Sequence, residues 1–221
     1  MPRIARIIAP HFPHHITQRG NRRQQVFFKD EDYNEYLRLL KFHSDKFNLS
    51  IVAYCLMPNH VHLIVIPEEK ESIAKAIGET HRKYTRMINF RNNWSGYLWQ
   101  GRFSSYILDE RYLLSATRYA LLNPVRAKMV KTPQSYRWSS VRHHLGLEKS
   151  QIVNDSIFKE TIVDWNEFLT EVSDERDIKL LKLHSSTGRP LGEKTFIGKL
   201  ENLLGINLKK KKPGPKEKKN N

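Results

Sequence analysis

Residues 57–66 constrain the fold of this chain most, because they place two histidines one residue apart directly before an apolar run. Side chains of a β-strand alternate between the two faces of a sheet, so residues i and i+2 share a face. The pattern therefore predicts a strand in which His60 and His62 point into one layer, while Val61 and Leu63 point into the other. Two adjacent imidazoles are either part of an open metal site or two hydrogen-bonded polar groups at a strand end.

The composition favours a polyanionic partner. The 221 residues carry a formal net charge of +15 and the sequence pI is about 9.9, values typical of proteins that bind nucleic acid. No run of about 18 apolar residues is present to span a bilayer, so we expect no membrane partner. With one cysteine, Cys55, and no apolar core in the first ten residues, we expect a cytoplasmic protein without an internal disulfide.

The hydrophobic periodicity predicts strands and helices in the order βαββαβα. The predicted strands cover residues 15–18, 49–56, 60–66 and 104–108, and the predicted helices cover 30–47, 72–90 and 110 to about 123. This order predicts an α+β fold, in which an antiparallel sheet carries helices on one face. Pro58 interrupts the two middle strands, which indicates a tight hairpin or a bulge between them.

Basic side chains surround the end of the first strand. Arg19, Arg22 and Arg23 fall within five residues on a turn that contains Asn21, an arrangement that suits a phosphate clamp or an ordinary solvated loop. Arg102 lies among aromatic residues, where it would contact phosphate or stack on a base, or else pair with an acid beside aromatics of the core. A lysine-rich tail, expected to be disordered, begins with Lys209, Lys210, Lys211 and Lys212 and would attract nucleic acid without sequence preference.

The helix predicted from residue 110 carries Tyr119 and, four residues later, Asn123 on the same face. If the strand with the two histidines lies in the middle of the sheet, this face reaches it. Tyr119 would then lie beside a divalent ion held by His60, His62 and the amide oxygen of Asn123. Such an ion polarises a phosphate oxygen, so that a tyrosine hydroxyl can attack a phosphodiester and form a covalent phosphotyrosine. The alternative is core packing, since Tyr119 is one of nine tyrosines.

The ordered set His60-Val61-His62 followed by Tyr119-x-x-x-Asn123-Pro124 resembles the HUH single-tyrosine transposases of the IS200-like superfamily. The closest resemblance is to the REP-associated tyrosine transposase branch, and it covers roughly residues 3–145. The stretches that carry it are residues 15–22, 53–63, 98–103, 119–126 and 138–140.

The resemblance implies a ferredoxin-like catalytic domain at residues 1–145. Amphipathic segments within residues 147–185 and a short amphipathic helix that ends before Gly205 predict a helical C-terminal extension at 146–205, and the lysine-rich tail covers 206–221. The resemblance also implies a divalent ion, Mg²⁺ or Mn²⁺, held by His60 and His62, with Asn123 in the place of a polar third ligand. Tyr119 would cleave single-stranded DNA at REP-like hairpins and leave a 5′-phosphotyrosine and a free 3′-OH. Arg19, Asn21, Arg22, Arg23, Arg102 and the lysines of the tail are the candidates for DNA contact.

Three other functions fit parts of the pattern. The first is a DNA-binding repressor or architectural protein that keeps the fold without cutting. The second is a metal-dependent nuclease that uses water, and the third is a basic RNA-binding α+β domain with incidental histidines. The sequence leaves open whether the chain acts as a monomer or as a homodimer.

Overall fold

A computed structural model describes residues 6–172 and 174–208 of the chain. Within this part, four antiparallel strands form one sheet in the order β2-β3-β1-β4. The strands are β1 (His14–Arg19), β2 (Leu49–Met57), β3 (His60–Pro67) and β4 (Ser104–Ile107). The predicted α+β, ferredoxin-like sheet is confirmed, and β3, which carries both histidines, lies between two neighbouring strands.

Two long helices pack on one face of the sheet, as predicted. These are α1 (Asp30–Lys46) and α2 (Ser72–Arg91), and their apolar side chains recur at helical spacing. Tyr36 of α1 and Tyr84 of α2 are fully buried in one cluster with Ile16, Val61 and Leu63 of the sheet. The odd-numbered residues of β3 therefore belong to the α1–α2 layer, which leaves the histidines on the other face.

A buried carboxylate connects the start of α1 to the end of α2. Asp32 accepts hydrogen bonds from the backbone N–H groups of Phe28 (2.8 Å) and Lys29 (3.2 Å). The same carboxylate pairs with Arg91, whose Nη2 lies 3.0 Å from Oδ2. Asp32 therefore combines the N-terminal capping of α1 with an ion pair that holds the two helices together.

The opposite face of the sheet is covered by a helix as well. The predicted arrangement, with helices on one face of the sheet, therefore holds for α1 and α2 only. The third helix, α3 (Glu110–Leu121), packs on this opposite face against Val52, Ala53, Ile64 and Tyr106. The reason lies in the continuous apolar run of β3, because a strand that is apolar on both faces needs cover on both. Ile64 follows His62 by two residues, so the histidine side of β3 faces α3.

The β2–β3 connection is the predicted tight hairpin. Met57 pairs with His60, which leaves only Pro58 and Asn59 in the loop. The register shifts between Ile51 and Ala53, so the irregularity of this pair lies within β2 and not at the proline. The short loop fixes where β3 begins, and hence which face receives the two histidines.

Four α-helices follow the short α4 (Asn123–Arg126) in the described part of the chain, and they are α5 (Val141–His144), α6 (Trp165–Thr170), α7 (Glu175–Thr187) and α8 (Lys194–Leu204). The last three fall within residues 146–205, the range expected for the helical C-terminal extension. Phe168 and Leu181 share a buried cluster with α3, and α8 ends at Gly205, whose φ of 64° is left-handed. The division near residue 145 stays a prediction. None of the described helices is long and apolar enough to cross a membrane.

Candidate active site

The two histidines of β3 lie together on the α3 side of the sheet. Their ring centroids are 5.0 Å apart, and the ring planes are inclined by 78°. His62 is buried beneath α3, whereas His60, at the start of the strand, is half-buried. The alternation of β3 therefore brings both imidazoles to one edge of the layer, where a ligand can approach from the side of His60.

Tyr119 and Asn123 both reach His62. The rings of Tyr119 and His62 meet edge to face, with centroids 5.5 Å apart, and the Asn123 amide nitrogen lies 3.1 Å from His62 Nε2. The connecting helix is not continuous, because α3 ends at Leu121 and Asn123 is the first residue of α4. The predicted end of the helix near residue 123 is therefore wrong by two residues. Pro124 falls in the first turn of α4, where a backbone N–H is not needed.

A cleft of about 520 Å³ contains the predicted nucleophile and the two histidines. Arg19 and Arg102, two of the residues predicted to contact DNA, line the same cleft. Lys182 of α7 also lines it, so the C-terminal extension contributes a cation that sequence reasoning missed. A hydroxyl nucleophile surrounded by several cations suits a phosphodiester substrate.

Burial keeps both histidines neutral. Burial, together with the nearby positive charge of Arg19, lowers the pKa of His60 to about 4. The pKa of His62 lies well below its ordinary value of 6.5, chiefly because of burial and then because of neighbouring cationic and imidazole groups. Neutral imidazole is the form that coordinates metal ions, so no proton has to leave these rings before an ion binds.

The donor set of this site fits a divalent cation. His60 Nδ1 donates to the Asn59 side-chain oxygen (2.6 Å), and the Asn59 amide donates to the Arg23 carbonyl (3.2 Å), which leaves His60 Nε2 with a free lone pair. His62 likewise directs Nε2 toward Asn123. Rotation of the Asn123 amide would bring its oxygen to the same point. Two imidazoles and one amide oxygen suit Mn²⁺ at least as well as Mg²⁺.

The turn after β1 carries the remaining basic candidates. Asn21, Arg22 and Arg23 form a short 3-10 turn beyond Gly20, and both arginines are exposed. A Cβ on Gly20 would lie 2.2 Å from the Gln24 carbonyl oxygen, so the turn requires glycine. None of these residues lines the cleft around Tyr119, and the turn lies beside it. Lys209, Lys210, Lys211 and Lys212 fall outside the described residues.

The aromatic neighbours of Arg102 belong to the core. Trp99 and Phe103 are both buried in the α1–α2 cluster, so neither ring is available to stack on a base. The sequence left two roles for these aromatic rings, base stacking and core packing, and the structure shows core packing. Arg102 itself lies at the cleft.

Two other residues that sequence reasoning missed contact the site. His15 is buried, and its Nε2 lies 3.0 Å from His62 Nδ1. Arg126 places its guanidinium 4.7 Å from the centre of the Tyr119 ring. Alternation in β1 puts His15 on the face opposite Ile16, but only the strand order shows that β1 neighbours β3. Arg126 follows Tyr119 by seven residues, a helical spacing that points to one face.

A second group of possible metal ligands has a different explanation. His143, His144 and Asp155 bring ligand atoms within 4.8 Å of one another in the described part of the chain. The Ser150 backbone N–H donates to His143 Nδ1 (3.1 Å), so the neutral ring keeps its proton on Nε2, which lies 3.5 Å from the Asp155 carboxylate. A protonated Nε2 cannot coordinate an ion. The group is best explained as a contact between α5 and the segment that follows it.

Residues 10–120 match the family described as Transposase IS200 like, a range that includes both histidines and Tyr119. The chain belongs to this family. The predicted resemblance to the REP-associated branch is also confirmed by a protein of Haemophilus influenzae whose name assigns it to the REP-associated tyrosine transposases. The two chains are 27% identical over 129 residues, which are 53% of this chain and 73% of the relative.

One solved structure shows the same fold. A REP-associated tyrosine transposase bound to a REP hairpin superposes with a TM-score of 0.58 at 17% identity, covering 70% of this chain and 98% of the other. The crystal structure of a Deinococcus radiodurans protein described as a transposase gives a TM-score of 0.38 at 21% identity, over 61% of this chain and 95% of the other. The second value is too low to support an argument.

Proposed function

We propose that this IS200-like family member cleaves and rejoins single-stranded DNA at hairpin repeats of the REP type, with Tyr119 as the nucleophile. The observation that carries the proposal is the convergence of Tyr119, His60 and His62 in one basic cleft. The hairpin substrate is inferred from the related transposase whose structure contains a REP hairpin. Tyr119, His60 and His62 of one chain line this cleft, so we propose that a monomer can assemble the site, with a homodimer as the alternative.

The residues of the site would hold a divalent ion through side chains that are already arranged for it. Mg²⁺ or Mn²⁺ bound by His60, His62 and Asn123 would supply Lewis-acid polarisation of a phosphate oxygen. Asn123 would present its amide oxygen to the ion in place of the amide nitrogen that now faces His62, while both imidazoles would keep their Nδ1 protons on neighbouring acceptors. Arg19, together with the other cations of the cleft, offsets the remaining charge of the phosphodiester.

Tyr119 then exchanges one ester for another. Its hydroxyl oxygen attacks the phosphorus, so that the tyrosine O–P bond forms while the bond from phosphorus to the 3′ oxygen breaks. The phenolic proton ends on the departing 3′ oxygen, which becomes a free 3′-OH, and the DNA 5′ end remains as a phosphotyrosine. Attack by a 3′-OH on this ester reverses the step and rejoins the strand. The Arg126 guanidinium, stacked on the ring, restrains the tyrosine in the attacking position.

The test is a denaturing gel with labelled single-stranded hairpin DNA taken from the flanks of the gene. Wild type, Tyr119→Phe and the control Tyr112→Phe, which changes another tyrosine of α3, are each incubated with Mn²⁺ or with chelator. We expect a metal-dependent shifted band for wild type and for the control, and none for Tyr119→Phe. Cleavage without a shifted band that survives in Tyr119→Phe would replace this proposal with a hydrolytic nuclease. Binding without cleavage under every condition would indicate a repressor or architectural protein.

A further inference from the structure

A chain of hydrogen bonds connects His62 to the C-terminal extension. His62 Nδ1 lies 3.0 Å from His15 Nε2, and His15 Nδ1 lies 2.7 Å from the Tyr106 hydroxyl. The hydroxyl in turn donates to the carbonyl of Leu181 in α7, at 3.1 Å. The His62, His15 and Tyr106 side chains are all buried, so the described contacts account for their polar atoms.

The Leu181 carbonyl at one end of this series of hydrogen bonds, and the Asn123 amide nitrogen at the other end, are consistent with one direction for all of the bonds. A carbonyl oxygen only accepts, so the Tyr106 proton is directed to Leu181 and the Tyr106 oxygen accepts from His15 Nδ1–H. His15 Nε2 is then a lone pair, which accepts from His62 Nδ1–H. His62 Nε2 is left without a proton and accepts from the Asn123 amide nitrogen (3.1 Å). The reverse direction would leave the Leu181 carbonyl without the Tyr106 proton, and it would require the Asn123 amide to turn its oxygen toward a protonated His62 Nε2.

We propose that His15 and Tyr106 are positioning residues that fix His62 in the Nδ1–H tautomer, with the Leu181 carbonyl of α7 as the terminal acceptor. This inference deepens the proposed function, on which it rests, because that tautomer presents the Nε2 lone pair to the ion. Hydrogen bonds of this kind to the second nitrogen of a histidine ligand orient the ring and raise its affinity for metal.

The geometry also gives α7 a place in the active site. Thr17 Oγ1 of β1 lies 2.9 Å from Ser185 Oγ, and Ser104 of β4 donates to the Ser185 carbonyl. These contacts hold α7 against the strands that carry His15 and Tyr106. His60 is oriented independently, since its acceptor Asn59 is held by the Arg23 carbonyl. Loss of the Tyr106 hydroxyl should therefore affect His62 alone.

The direct test reads the tautomer in the metal-free protein. Long-range ¹H–¹⁵N spectra of wild type, with the His62 signals assigned by comparison with His62→Gln, should show the proton on Nδ1. A proton on Nε2 would overturn the inference. This result does not depend on DNA cleavage, so absence of the covalent adduct would contradict the proposed function and leave the tautomer assignment standing.

A second measurement uses a matched pair of tyrosine variants. Tyr106→Phe removes the hydroxyl between His15 and Leu181, while Tyr84→Phe removes a buried hydroxyl that donates to the Val26 carbonyl (2.7 Å), away from the site. By calorimetric titration with Mn²⁺, we expect affinity to fall about 10–100-fold in Tyr106→Phe. Tyr84→Phe should bind as wild type does. Equal affinities in the two variants would show that the Tyr106 hydroxyl plays only a structural role.

Discussion

At the residue scale, the chemistry of the site depends on which nitrogen of each histidine keeps its proton. His60 and His62 are neutral because they are buried. His60 directs its Nδ1 proton to Asn59 in the preceding loop, and His62 directs its Nδ1 proton to His15 of β1. The Nε2 atom of each ring is therefore unprotonated, and its lone pair can coordinate an ion. The Asn123 amide can serve either role at this point. Its nitrogen donates to His62 Nε2, and rotation of the amide would place its oxygen there as a ligand for the ion.

We predict that Asn123→Ala weakens Mn²⁺ binding by at least about tenfold, because an oxygen ligand and a partner of His62 are both lost. The side chain is half-buried at the start of α4, so the fold should survive the change. Calorimetric titration measures the affinity, and circular dichroism confirms that the variant is folded. An unchanged affinity in the folded variant would remove Asn123 from the proposed ligand set.

At the scale of elements, the sequence predicts most of the strands and helices, but not how they surround the site. Alternation in β3 is enough to place His60 and His62 on one face, opposite Val61 and Leu63. It does not show that α3 covers that face, because docking of α3 depends on Ile64 and Tyr106 from separate strands. The contact between His15 and His62 could not be predicted from the sequence for the same reason, because it depends on β1 lying beside β3.

The turn between β1 and α1 depends on glycine at position 20. In Gly20→Ala the new Cβ would meet the Gln24 carbonyl oxygen at 2.2 Å, a backbone atom that cannot move aside cheaply. We expect the free energy of unfolding to fall by more than about 1 kcal/mol. Gly78→Ala in α2 meets nothing within 4 Å and should stabilise the protein by about 0.5–1 kcal/mol, through helix propensity. Urea unfolding of both variants measures the contrast, and equal effects would contradict the tight turn.

The contact between α1 and α2 should depend on pH through Asp32. Burial alone would raise the pKa of this carboxyl, but the hydrogen bonds and charge of Arg91, together with two backbone N–H groups, hold it below its ordinary value of 3.8. The ionised carboxylate therefore stabilises the fold above about pH 4, and this contribution is lost as the pH falls through the lower folded pKa.

Asp32→Asn should reduce the free energy of unfolding by about 2 kcal/mol at pH 7, because the buried pair with Arg91 is broken. Below about pH 3.8 the difference between variant and wild type should shrink, because the Asp32 carboxyl of the unfolded chain takes up a proton while the folded carboxyl, with its lower pKa, stays ionised. Urea unfolding at pH 7 and toward pH 3 measures both quantities. A difference that stays constant with pH would show that the charge of Asp32 is not what holds the helices together.

At the scale of the whole molecule, the net charge of +15 should make DNA binding steeply dependent on salt. Arg22 and Arg23 are exposed on the turn beside the cleft, whereas Arg38 is paired with Glu35 on α1. In the double variant Arg22→Gln, Arg23→Gln, the slope of log affinity against log salt should fall by about 1.4, or 0.7 for each phosphate contact with a single strand. Arg38→Gln is the control, and equal slopes for the two proteins would exclude the turn from the DNA interface.

If Tyr119 alone forms the covalent bond to DNA, mass spectrometry of the covalent complex should locate the nucleotide on that residue. After nuclease and trypsin digestion, residues 119–126 form a peptide that contains a single tyrosine, bounded by Arg118 and Arg126. We predict that this peptide, in the presence of Mn²⁺, carries the added mass of a 5′-phosphorylated nucleotide. A nucleotide found on another peptide, such as the adjacent one that contains Tyr112, or an adduct absent from every peptide while the DNA is cleaved, would contradict the assignment of Tyr119.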